Sequence, residues 1–371
     1  MFLRSFTVAV MVLVGAGCES GDVDEPQLAG VQQNFGGGCD VFMCGTNSPQ
    51  IAEFGFWDLN LPTSLAAPGL PNIRGLQVMK FVQGTGSYLP RVTRGRLFAL
   101  PTTSIAPNNV MLSGTALKDG YFLLRNGIRQ FQLKISEVNQ VASWAQPVGG
   151  SPQIMLETYK LDWTEFKNGW GDFRSVCINP PTNRENPDTL GMTGTLAYHT
   201  LLFEGDRIDG DKKLDTGVDM TWFNLGCAGS ALAKLALTGH TEASRSAGTF
   251  VTTLSERQTM LKMLTADYCG TGTPFTVAGQ PLNWRDDDGT MKFIQAPAQL
   301  AREARWTDQG PACLDKPRVD IHPTTASASV FGQGVNIYDL AVSTCGSRMP
   351  PPCADSTLEV DGYHLLSATP M

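Results

Sequence analysis

Charge is scarce in this chain. Asp, Glu, Lys and Arg together make up 17% of 371 residues, and nowhere does Lys or Arg gather into a dense patch. A nucleic acid or an acidic surface therefore finds no cationic stripe along the sequence. Histidine is scarcer still: His199, His240, His322 and His364 are scattered, and none stands near a Cys at zinc spacing. With no C-x-x-C either, the common structural zinc patterns are excluded, and no metal or other cofactor is expected. The familiar catalytic signatures are missing as well. There is no G-x-S-x-G elbow, no Walker loop and no H-E-x-x-H. Ser230 and Lys234 are four apart rather than three, which excludes the S-x-x-K pattern. Gly270-Thr-Gly272 follows a helical stretch, whereas a phosphate cradle precedes one. Past the first seventeen residues no apolar run approaches the length of a membrane-spanning helix.

What the chain does have is Gly (39), Pro (23) and Cys (9), and so many turn formers in so few charges point to β-rich structure. The clearest element is Tyr121 to Ile135. Asn126-Gly127 suits a type I′ turn, and Phe131, Leu133 and Ile135 alternate with Gln132 and Lys134, as in a hairpin with one wet face. Strands are predicted over Ile154–Trp163 and Thr195–Phe203, with a second hairpin from Leu282–Trp284 to Met291–Ile294. Residues 50–115 read as β-rich with Pro and Gly punctuation. The middle differs. Cys227–Leu237 is rich in Ala and Leu and stops at Gly239, a natural helix-ending residue. Ser255-Glu-Arg-Gln258 has capping-box spacing and leads into Met260, Leu261, Met263, Leu264 and Tyr268, ended by Gly270. The fold class expected is α+β: a β-rich body, stapled by disulfides, with a central pair of helices packed on antiparallel sheet.

Arg4, the apolar stretch Phe6–Val14 and the small residues Gly15-Ala-Gly17 make residues 1–17 a signal peptide. A small-residue run ending in Cys18 resembles a bacterial lipoprotein signal, in which the Cys thiol is acylated; the usual Leu or Val three residues earlier is here Gly15. The alternative is an ordinary secretory signal with Cys18 as a spare thiol. Two acyl chains on one Cys meet the requirement for stable anchoring, so the membrane is a partner through Cys18. Residues 18–38 carry Glu19, Asp22, Asp24, Glu25 and three glycines and read as a flexible tether. Residues 39–371 are then a single body. Glu19, in place of Asp after the Cys, favours the outer membrane by analogy with lipoprotein sorting.

Ala266-Asp267-Tyr268-Cys269 followed by Gly270 resembles the ADYC-domain family, named for that tetrapeptide and made up of exported proteins found largely in myxobacteria and their relatives. Trp222–Lys234, with Cys227 followed by Ala, Gly and Lys234, resembles a second family segment. Glu303-Ala-Arg-Trp306 leading to Cys313 resembles a third, and Met43–Pro49 a segment common near the start. The resemblance is specific over about 195–322. Many members carry an extra Cys pair in the two helices, and here Leu235 and Met260 stand at those positions. The family has no assigned function, so the resemblance implies no reaction. Eight cysteines after Cys18 imply four bridges in an oxidising compartment, with 105 pairings open to sequence. The pairs expected are Cys39–Cys44, which closes a small loop, Cys345–Cys353, which flanks Met349-Pro-Pro-Pro352, Cys269–Cys313 through the recognised segment, and Cys177–Cys227. Within the motif, Tyr268 is expected to bury its ring, Asp267 to accept backbone N–H groups and Cys269 to bridge.

Two acidic clusters remain. Asp206, Asp209 and Asp211, with Asp215 beyond, surround Gly205 and Gly210, and Asp286 to Asp288 precede Gly289. Both are weak calcium candidates, since neither fits EF-hand spacing, and a solvated turn is the favoured reading. No catalytic residue is assigned. The functional expectation is a cell-envelope lipoprotein that binds a protein or glycan partner or has a structural role. The alternative is an envelope hydrolase with a dispersed site, which a cleft holding a His–carboxylate pair and a hydroxyl would favour.

Overall fold

The computed structural model describes residues 49–103, 109–145, 154–178, 192, 194–208, 214–215, 220–242, 252–275, 282–286, 300–315, 317, 341–342, 344–353 and 365–370. The leader, tether, Cys18, Cys39–Cys44, Asp209, Asp211, His322 and His364 lie outside the described residues.

The chain enters through the hairpin β1 (Gln50–Ile51) and β2 (Phe54–Gly55), then β3 (Asp58–Asn60), β4 (Gln77–Gln83), β5 (Gly86–Thr93), β6 (Arg96–Pro101) and β7 (Leu112–Ser113). Side chains in β5 alternate buried and half-buried, the period of two that a sheet with one core-facing side imposes. A long hairpin follows, β8 (Tyr121–Asn126) with β9 (Arg129–Ala142), then β10 (Met155–Glu165) and the short β11 (Arg174–Ser175). Next come β12 (His199–Glu204), β13 (Arg207–Ile208), β14 (Leu214–Asp215) and β15 (Trp222–Cys227). Two helices, α1 (Ala231–Leu237) and α2 (Leu254–Thr265), precede β16 (Asn283–Asp286), β17 (Leu300–Thr307), β18 (Gly310–Leu314) and β19 (Leu365–Pro370).

Among the described residues the strands form an 11-stranded sheet in the order β3-β15-β12-β10-β9-β8-β4-β5-β6-β7, with β11 on β10, and a 4-stranded sheet in the order β16-β19-β17-β18. The pairings are antiparallel, so the chain is β-rich α+β as expected. The large sheet folds over on itself. Glu204, at the end of β12, accepts the backbone N–H groups of Arg94 and Gly95 in the β5–β6 turn. The Leu97 N–H of β6 donates to the Tyr159 hydroxyl of β10 at 2.8 Å. Phe81, Phe122, Phe131, Leu202 and Phe223 fill the interior so formed. A second apolar cluster joins the outer side of β12 and β15 to both helices and the small sheet, through Leu201, Phe203, Leu235, Met260, Leu264, Trp284 and Trp306. Leu235 and Met260, at the positions of the extra family cysteines, are buried in this same cluster. At Gly226 a Cβ would sit 2.3 Å from the Ala233 nitrogen, so the first turn of α1 rests directly on the backbone of β15.

Several expectations change in detail. Asn126 pairs with Arg129, so the hairpin loop is Gly127-Ile128, and only Gly127 takes a positive φ (57°), the pattern of a II′ turn with Gly first. Thr195–Tyr198 belongs to a 3-10 turn, and the strand begins at His199. Strand β16 pairs with β19, far along the chain; residues 291–294, the predicted hairpin partner of Leu282–Trp284, lie outside the described residues. The capping box is Thr253 with Glu256, two residues before the predicted one, because Thr253 has the extended backbone (φ −77°, ψ 165°) a cap requires. Helix α2 stops at Ala266, four residues short of Gly270.

Candidate functional site

Helix α2 sets the site. From Arg257 to Thr265 every residue is buried, charged ones included, because the helix is enclosed between α1 and the small sheet. A helix buried on all sides must satisfy its polar groups internally, and α2 does so with ion pairs near both ends. Near its start Arg257 binds Asp206 with both arms, Nε–Oδ2 at 2.6 Å and Nη2–Oδ1 at 2.9 Å, and also meets Glu242 at 3.1 Å. Asp206 is thus neither a calcium ligand nor a solvated turn residue. It is buried, and its two oxygens are spent on a guanidinium. Near the end of α2 the Lys262 ammonium meets Asp267 at 2.5 Å, with both side chains buried.

The ADYC motif is the reversal that follows. Both helices end alike: in α1 His240 N–H donates to Leu235 C=O and Gly239 N–H to Ala236 C=O, and in α2 Asp267 N–H donates to Lys262 C=O and Ala266 N–H to Met263 C=O. Gly239 is the usual residue for such a left-handed end, but Ala266 adopts it too (φ 51°, ψ 45°). That conformation costs a Cβ-bearing residue about 1–2 kcal/mol, offset in part by burial of the Ala266 methyl in the second cluster. Asp267 then closes the turn. Its Oδ1 accepts Thr271 N–H at 3.0 Å and its Oδ2 accepts Gly272 N–H at 2.6 Å, alongside the Lys262 ammonium. Tyr268 stacks between Phe275 and Trp306 (5.9 and 5.8 Å) and donates its hydroxyl to Glu303 Oε1 at 2.6 Å. Glu303 and Trp306 are the ends of the Glu-Ala-x-Trp segment, so two motifs 35 residues apart form one buried cluster. Gly270 (φ 68°) completes the fit: a Cβ there would lie 2.3 Å from the Gln309 carbonyl in the β17–β18 turn.

Cys269 bridges to Cys345, and Cys313 to Cys353, in place of the expected Cys269–Cys313 and Cys345–Cys353; Cys177 is bonded to Cys227. The exchange has a geometric reason. The Gly310 end of β18 meets Gly270, and Cys313 lies three residues further along the strand, roughly 10 Å at ~3.4 Å per residue, beyond the ~7 Å reach of a disulfide. The prolines after Met349 do not close a turn. They lie beside β18, where Pro351 C=O accepts Leu314 N–H, so Cys353 is delivered to Cys313 while Cys345 bonds Cys269 at the ADYC turn.

His240, just past the end of α1, is buried; its Nδ1 lies 3.1 Å from the Thr238 carbonyl, and burial lowers its pKa to about 4, which favours the neutral ring. His199 stands closest to a catalytic constellation. Its Nδ1 is 3.0 Å from the Thr158 hydroxyl, its Nε2 is 3.7 Å from Glu137 Oε2, and Glu137 is held by Lys160 at 3.0 Å. Burial keeps the imidazole below its ordinary pKa, and the Lys160 hydrogen bond keeps Glu137 below the ordinary carboxylate range. Thr158 and His199 are both fully enclosed, so no substrate reaches the hydroxyl; the group ties β9, β10 and β12 together. Among the described residues no group of three or more His, Cys, Asp or Glu is placed to hold a metal ion.

No curated protein and no solved structure matches the chain. A family model described as the ADYC domain matches residues 114–320, from just ahead of β8 to just past β18. That span holds the His199 group, both helices, the Lys262–Asp267 pair and the Tyr268–Glu303–Trp306 cluster, and by it the chain belongs to the ADYC domain family.

Proposed function

We propose that this protein is an exported lipoprotein, anchored by acylation of Cys18 at the outer membrane, whose body has a binding or structural role in the cell envelope rather than a catalytic one. The observation that supports export best is the set of three disulfides spanning 50, 76 and 40 residues, since such bridges persist in oxidising compartments and are rare in the cytosol. The non-enzymatic role is supported by the burial of the polar clusters, which spend their charges and hydroxyls on one another. A flexible tether over residues 18–38 would carry the body clear of the bilayer.

Expression of the full chain in a diderm bacterium, followed by mass analysis of the mature amino terminus and membrane fractionation, tests the reading. An acylated Cys18 in the outer-membrane fraction, lost to the soluble envelope fraction in Cys18→Ser, is the expected result. An unmodified Cys18, or a mature terminus elsewhere, overturns it. Hydrolysis of an ester, peptide or glycoside that disappears in His199→Ala would return the hydrolase alternative.

A further inference from the structure

One end of the large sheet gathers exposed apolar side chains that are far apart in sequence. Ile128, at the tip of the β8–β9 hairpin, is 100% exposed, and Ile73 is 65% exposed. The two tips are adjacent, because the Asn126 side chain donates to the Arg74 carbonyl at 2.7 Å. The loop leaving β10 reaches the same end, since Phe166 N–H donates to Gln130 C=O at 3.0 Å. Its Phe166 and Trp170 pack edge to face at 5.2 Å yet stay 50% and 41% exposed. A soluble surface that loses nothing by burying such residues would bury them, so a cluster of this kind marks a contact site.

Charge identifies the partner. Arg74, Arg125, Arg129 and Lys167 stand at these tips, and the carboxylates paired with them are Glu53 and Glu165. Arg129 is taken up by Glu53 and Glu165 and lies over the Phe54 and Phe131 rings, while Lys167 meets Glu165 at 2.9 Å with 73% of its side chain still exposed. These four cations face two carboxylates, a positive end on a chain whose net charge is −7. Apolar and aromatic tips projecting from separate loops do not form a groove for a peptide. They form a set of prongs, with cations around them, that fits a plane with an apolar interior and an anionic surface. Trp and Phe suit the headgroup boundary, and Arg and Lys suit anionic headgroups.

We infer that this end of the body docks on an anionic phospholipid bilayer, with Ile73, Ile128, Phe166 and Trp170 entering the headgroup region. The docking does not rest on acylation of Cys18, and it gives a lipidated body a preferred face toward the membrane.

The full chain carrying Cys18→Ser is mixed with vesicles of phosphatidylcholine with or without phosphatidylglycerol, and binding is read by vesicle flotation. Binding is expected with phosphatidylglycerol, weaker in its absence and weaker in high salt. Ile128→Ser with Trp170→Ser should weaken it by on the order of tenfold or more, and Lys167→Glu should weaken it and reduce the salt dependence. Ile128 is fully exposed, so Ile128→Ser should leave the melting temperature unmoved, and it serves alone if the double variant, which also removes the Phe166–Trp170 ring contact, melts early. Absence of binding to phosphatidylglycerol vesicles overturns the inference, as does binding that the tip substitutions leave unchanged. An oligomer of the parent chain that Ile128→Ser dissociates also overturns it, by making this end a contact between copies.

Discussion

Asp267 carries three roles through two oxygens: it neutralises Lys262, and it holds the Thr271 and Gly272 amides. Asp267→Ala should therefore lower the unfolding free energy by about 3–5 kcal/mol, the cost of leaving one charge of a buried pair alone. Urea unfolding measures it, and an unchanged midpoint would show that Asp267 has no part in stability. Adding Lys262→Met removes the stranded ammonium and should restore part of the loss, but not the part that belongs to the two amides. His240 makes a separate, pH-linked contribution. Its folded pKa of about 4 is below the ordinary 6.5, so below pH 6.5 the unfolded chain takes up a proton that the folded chain refuses until about pH 4. Stability should fall by about 3 kcal/mol as pH drops through that window and level off beneath it. Burial raises Asp58 and so acts with the opposite sign. The test is accordingly the difference between the parent and His240→Gln, which should lose this part of the slope.

At the scale of elements, the helix ends explain where local reading works. The Gly239 stop and the Met and Leu stripe were legible, because a left-handed helix end and a helical period are properties of neighbouring residues. The stop at Ala266 was not. Ala gives no signal for a left-handed conformation, and the position is held by the packing around it. The register of the capping box and of the hairpin loop slipped by one or two residues for a similar reason: Thr253 or Ser255, and Asn126-Gly127 or Gly127-Ile128, satisfy the same local rule, and tertiary contacts select between them. Gly270 belongs to this scale too. Gly270→Ala puts a Cβ into the Gln309 carbonyl at a positive φ, so it should destabilise by about 1–3 kcal/mol or more and loosen the turn against β17–β18. Hydrogen exchange at Thr271 and Gly272 reports that loosening directly.

Across the molecule, the disulfides and β19 join parts of the chain that are distant in sequence. Non-reducing peptide mapping should recover Cys177–Cys227, Cys269–Cys345 and Cys313–Cys353, and a Cys269–Cys313 peptide would contradict the small-sheet geometry. Strand β19 lies inside the small sheet, between β16 and β17, and the Trp306 indole donates to its Ser367. Ending the chain before Leu365 should therefore expose both neighbouring strands and the second cluster, and yield an aggregating or protease-sensitive product.

The sequence alone determined what depends on composition and near neighbours. It set the β-rich class, the two helices and the cysteine supply. It also carried the motif by which the family is recognised, and the roles of Asp267, Tyr268 and Cys269 followed from the turn in which that motif sits. Only the tertiary structure decided which cysteines meet, that Asp206 faces Arg257, that His240 is neutral, and that scattered Ile, Phe, Trp, Arg and Lys residues share one end of the sheet. Each of these is set by a distance between residues tens to hundreds of positions apart. Such distances follow from how sheets and helices pack, and no local pattern encodes them.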